Sequence, residues 1–136
     1  MNRDEIMAMD ADALRLAIAE AKGWTEIDKG DGNLNKPFGR NPNAKYPTIM
    51  GIQYLPDYSR DIAAAWGLVE DARKRGARLV MNDTAAQYRA AFITENVNMV
   101  QEFTMPSVKY WSWEEAAPLA ICRAWLLWKA ATAQAS

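Results

Sequence analysis

The side chains that do most protein chemistry are scarce in this chain of 136 residues, and histidine is absent altogether. Without imidazole there is no Ser-His-Asp or Cys-His arrangement, and the commonest catalytic zinc sets are excluded. One cysteine, Cys122, stands among Ile121, Leu126 and Leu127, where a packed thiol is expected rather than a nucleophile. The acidic pairs Asp10 with Asp12, Glu70 with Asp71 and Glu114 with Glu115 have spacings that do not face each other on a helix, so none makes a dyad. Asp28, Asp31 and Asn33 have the composition of a calcium loop without its spacing, and a turn of Asn, Asp and Gly is expected instead. Neither a G-x-G-x-x-G turn nor a P-loop occurs. The expectation is a protein that is not an enzyme, with no catalytic residue, no metal site and no cofactor. The catalytic alternative is a metal-dependent hydrolase with Asp28, Asp31 or Glu95 as ligands.

Aromatic residues carry the more suggestive pattern. Tyr54, Tyr58, Tyr110, Trp111 and Trp113 fall at the junctions before two helical segments, close in sequence to Arg60 and Lys109. The candidate ligand-binding residues are Tyr58, Arg60, Lys109, Tyr110 and Trp111, with the two cations for phosphate and the rings for stacking. The competing reading is that these aromatics seal the rim of an ordinary core, which is the commoner use of large rings. A net charge of -1 gives no reason to expect phosphate-backbone binding, so nucleic acid is not an expected partner.

The elements that must position these residues follow from periodicity. A hydrophobic fraction of 50% with charged residues at 24% describes a chain that can build a core. No linker or repeat divides it, which predicts one domain over residues 1–136. A helix is expected from Ala11 to Lys22, capped by Asp10 and stopped by Gly23, with Ile6 and Met7 in a short turn before it. Punctuation by Gly, Asn and Pro dominates Trp24 to Pro56, between a strand near Thr25–Asp28 and a better one at Thr48–Tyr54. A second helix, capped by Asp57 or Ser59 and ended by Gly76, has Ile62, Ala65, Trp66, Val69 and Ala72 as its apolar stripe. Glu70 with Lys74 and Asp71 with Arg75 are expected pairs on its outer face. Strands at Ala77–Met81, Tyr88–Thr94, Met99–Thr104 and Val108–Trp111 have hairpin spacing. A third helix starts after Ser112, with Pro118 pushing its regular part later, and buries Ile121, Ala124, Trp125, Trp128 and Ala131. The fold class is α+β, a helix-sheet-helix sandwich with a mostly antiparallel sheet and about three helices. No segment reads as a secretory signal or a membrane span, and the expected location is cytoplasmic.

Two segments, Asp57-Tyr58-Ser59-Arg60-Asp61-Ile62-Ala63-Ala64-Ala65-Trp66 and Ala116-Ala117-Pro118-Leu119-Ala120-Ile121-Cys122-Arg123-Ala124, resemble the signature helices of the phage ABA sandwich domain family. The resemblance implies a bacteriophage or prophage protein and a sandwich of helices and sheet. It implies no activity and no catalytic residue. Specific function is then expected in the stretches from Asp28 to Pro47 and from Thr84 to Lys109. The leading reading is an accessory protein that binds a host protein or a small anionic signalling molecule, as a counter-defence inhibitor or a nucleotide-sequestering protein would. The alternative is a structural or assembly protein of the virion, acting as a homo-oligomer.

Overall fold

The computed structural model describes residues 2–29, 37–43, 51–83, 87–94, 99–106 and 113–135. The fold is α+β. In chain order the elements are α1 (Arg3–Ala8), α2 (Ala11–Ala21), β1 (Thr25–Asp28), β2 (Phe38–Arg40), β3 (Ile52–Tyr54), α3 (Ile62–Lys74), β4 (Ala77–Asp83), β5 (Gln87–Thr94), β6 (Met99–Pro106) and α4 (Trp113–Ala135). Two antiparallel sheets form, in the orders β1-β2-β3 and β4-β5-β6. The chain divides into two compact units, Met1–Leu14 with Asp57–Ser136 and Arg15–Pro56. Helix α2 gives its first turn to one unit and its remaining residues to the other.

In the unit that holds both chain ends, α4 packs on β5 and β6, α3 packs on α4 and β4, and α1 packs on α4. From Ala116 to Trp128 only Leu119 and Arg123 escape full burial. A helix apolar on every side belongs inside, and α4 is that helix. Trp128 keys it to the sheet: its indole N–H donates to Thr94 Oγ1 at 2.7 Å, and its ring lies 6.0 Å from that of Phe92. Each large apolar side chain buried here contributes about 1.5–3 kcal/mol. The exposed pair Glu70–Arg73 contributes about 0–1 kcal/mol, and in Asp71–Arg75 the carboxylate is half-buried, so packing fixes this unit. Pro118 sits inside α4 and is fully buried, and the helix starts at Trp113 without the expected delay. Pro118 removes one backbone donor from α4.

The second unit is built on Ala19, Trp24 and Leu55, with Leu16 and Ile27 against them. Helix α2 ends at Gly23, whose φ of +93° only glycine adopts freely, with Gly23 N–H bonded to Glu20 O at 3.0 Å. Strand β1 carries a register shift between Thr25 and Asp28, and Glu26 lies within it at φ +53°. A non-glycine residue in that region costs about 1–2 kcal/mol, and the Glu26 carboxylate accepts from Arg40 Nε on β2. Gly39 has a steric reason of its own, since a Cβ there would come within 3.1 Å of both Ile27 Cγ1 and Thr25 O.

Several expectations need correction. The described residues hold four helices, because Arg3–Ala8 is a full helix capped by Asn2 rather than a turn. Helix α3 is capped by Asp61, whose side chain accepts from Ala63 N–H, and not by Asp57 or Ser59. Its buried stripe is Ala65, Leu68, Val69 and Ala72, and Trp66 falls at the edge of it with 44% exposure. Ala131 is half-buried, and Glu70 pairs with Arg73 rather than Lys74. Strand β2 lies in the stretch read as turns. The expected strand at Val108–Trp111 and the Ser112 cap fall outside the described residues. Among the described residues no helix is long and apolar enough to cross a membrane.

Cys122 is fully buried in α4, and desolvation drives its pKa far above the ordinary thiol range, with Arg123 opposing and Asp57 adding to it. The folded state therefore keeps the proton that the unfolded chain releases. Stability is complete below the unfolded thiol pKa of about 8.5 and falls as pH rises beyond it. Denaturation midpoints measured from neutral to alkaline pH should decline less steeply in Cys122→Ala than in the parent chain.

Candidate functional site

The segment Asp57 to Asp61 is a tight turn at the entrance to α3. The Asp57 carbonyl accepts from the N–H groups of Arg60 at 3.2 Å and Asp61 at 2.8 Å. The turn sends Tyr58 and Ser59 inward and Arg60 outward. Ser59, 1% exposed, donates from Oγ to the Ala11 carbonyl at 2.7 Å. Arg60 Nη1 binds Asp12 Oδ1 at 2.9 Å and lies 3.6 Å from Asp57 Oδ1. From α4, Arg123 Nη2 donates to the Met9 carbonyl at 2.7 Å. Asp10, between these points, caps α2 through Ala13 N–H at 2.8 Å, as its sequence position predicts. Both segments singled out in the sequence thus close on one short stretch, Met9 to Asp12, that joins α1 to α2.

Their electrostatics are those of a fastening. Burial lowers the pKa of Arg123, which stays a cation and places its charge on a carbonyl. The hydrogen bond to Asp12 raises the pKa of Arg60, with Asp57 adding to it. A phosphate approaching Arg60 would meet the carboxylates of Asp12 and Asp57. Tyr58 is 4% exposed and presents no ring face for stacking. Lys109, Tyr110 and Trp111 lie outside the described residues, as do Asp31 and Glu95. Among the described residues no group of three acidic or thiol side chains is placed to hold a metal ion.

A different surface emerges on β1-β2-β3. The register pairs Phe38 with Tyr54, Gly39 with Gln53 and Arg40 with Ile52, so Phe38, Arg40, Ile52 and Tyr54 share one face. Gly39 belongs to the other face, beside Ile27. Phe38, Ile52, Gln53 and Tyr54 line an open groove of about 290 Å³, with Ile52 37% and Tyr54 54% exposed. Asn41 Nδ2 donates to Gln53 Oε1 at 3.0 Å and fixes the one amide in the lining. None of this set is among the candidate binding residues, although Tyr54 belongs to the aromatic group noted in the sequence, since β2 is three residues long and hidden between turn residues. The available signal was the period-two spacing of Phe38 with Arg40 and of Ile52 with Tyr54.

Substitutions should rank the fastening by burial and charge. Arg123→Met removes a charged donor from a partly buried carbonyl and should cost about 1.5–3 kcal/mol. Ser59→Ala should cost about 1 kcal/mol, and Arg60→Ala, at an exposed pair, less than about 1 kcal/mol. Urea denaturation of the three variants measures the order.

No curated protein and no solved structure matches the chain. A family model, the phage ABA sandwich domain, matches residues 5–126, from α1 into α4. That span includes the Met9–Asp12 junction and both segments that close on it. The chain belongs to the phage ABA sandwich domain family.

Proposed function

We propose that this phage domain is a non-catalytic accessory protein that binds a host protein through the face of β1-β2-β3 that carries Phe38, Ile52 and Tyr54. The observation that carries the reading is the open groove of about 290 Å³, where Ile52 and Tyr54 leave large apolar surface in water. Aromatic and aliphatic side chains exposed beside a single amide are the composition of a protein-binding hot spot. Phe38, which lines the groove, lies in the Asp28 to Pro47 stretch where specific function was expected. The electrostatics favour a protein over a nucleotide signal: Arg40 is the one cation within β1, β2 and β3, and Glu26 already holds it. The absence of histidine from the whole chain supports a binding role over catalysis. Binding of this kind would block or redirect a host factor.

Native mass spectrometry of the protein purified gently from host cells tests this, with an Ile52→Glu/Tyr54→Lys variant beside it. A host protein that accompanies the parent chain and is lost from the variant, with the circular dichroism spectrum unchanged, supports the reading. A small retained mass in its place would mark a ligand-sequestering protein. Incorporation into purified particles would mark an assembly role, and either result would contradict the proposal.

A further inference from the structure

A surface helix needs charge or polarity along the side its own fold leaves uncovered. Helix α3 has that only in its second half. Its outward side begins with Ala63, Trp66 and Gly67, and charge starts at Glu70. Trp66 is 44% exposed, and a Cβ built on Gly67 would meet no heavy atom within 4 Å. Positions 63, 66, 67, 70 and 74 recur at threes and fours, the spacing of a seam between paired helices.

The charges at the two ends indicate what fits this seam. Around the start of α3, Asp12, Asp57 and Asp61 outnumber Arg60. Around its end, Arg73, Lys74, Arg75 and the following Arg78 outnumber Glu70 and Asp71. A helix acidic at its start and basic at its end is complementary to a copy of itself running the other way, which is the requirement of a two-fold interface. We propose that the outward side of α3 is a self-recognition surface. A second copy of the chain docks there antiparallel about a two-fold axis near Gly67, with each Trp66 laid against the partner subunit's small residues. The absence of a Cβ at Gly67 permits the close approach. A helix of 13 residues is about 20 Å long. One such contact lies at the small end of specific interfaces, so the dimer is reversible and weakens with added salt.

Sedimentation equilibrium from low micromolar to near-millimolar protein tests the proposal on the parent chain, Trp66→Ala, Gly67→Gln and Lys74→Glu. The expected result is a concentration-dependent dimer whose association constant falls by about tenfold or more in Trp66→Ala. Lys74→Glu should weaken it further at low salt than at high salt. Gly67→Gln should abolish the dimer while the melting temperature of the monomer holds or rises, because it replaces a glycine inside a helix and adds atoms only to open space. That variant decides the matter if Trp66→Ala proves unstable. A monomer at every concentration, or a dimer indifferent to both Gly67→Gln and Trp66→Ala, would overturn the proposal.

Discussion

The unit that holds both chain ends depends on how the backbone between α1 and α2 finds its hydrogen-bond partners. The Met9 carbonyl lies outside both helices, and the Ala11 carbonyl, at the first position of α2, takes a second donor from Ser59. The chain supplies donors from far away: Arg123 is 114 residues from Met9, and Ser59 is 48 residues from Ala11. Contacts across such separations carry a large loop-closure cost, which local structure cannot repay. Burial repays it. Ile6 on α1 is fully buried, as are Ala120, Ile121, Cys122 and Ala124 around Arg123, and Tyr58 and Ser59 are buried beside each other at the entrance to α3. The polar bonds set which arrangement is reached, and the apolar burial around them supplies most of the stability.

This division of labour gives the polar motif residues a place in the fold. A polar residue within a recognisable segment invites a ligand-binding reading, and Arg60 and Arg123 are the two cations of these segments. Both are spent on the fold: one on a carboxylate pair, the other on a carbonyl. The fold leaves other surface uncovered. The groove beside Tyr54 and the uncovered side of α3 are two such places, and both expose large apolar groups that packing could have covered.

Periodicity and punctuation made much of the fold legible. Helices α2, α3 and α4 and strands β4 to β6 were expected within a few residues of their bounds, because each is long enough to display its period. Asp10, Gly23 and Gly76 mark helix ends by simple stereochemistry, and each does so in the structure. Strand β2 was hidden because three residues cannot establish an alternation, and its pairing partners come from β1 and β3. Trp66 was misplaced because the stripe was drawn without Leu68, which is fully buried and moves its centre away from the tryptophan. The burial of Tyr58 agrees with the reading in which the aromatics seal the rim of the core, while Arg60 stays outside. In a turn, adjacent residues take opposite exposures according to bonds made elsewhere, here with Ala11 and Asp12.

Native-state hydrogen exchange tests the role of the Met9–Asp12 junction most directly. The amides of Ala13 and Leu14, which bond to the Asp10 side chain and carbonyl, report whether that junction is closed. If the long-range bonds from Arg123 and Ser59 hold it, these amides should open only with the interior of α4, and Arg123→Met should release them at a lower free energy while α4 keeps its protection. Rapid exchange of Ala13 and Leu14 in the parent chain, or protection that Arg123→Met leaves unchanged, would contradict that role.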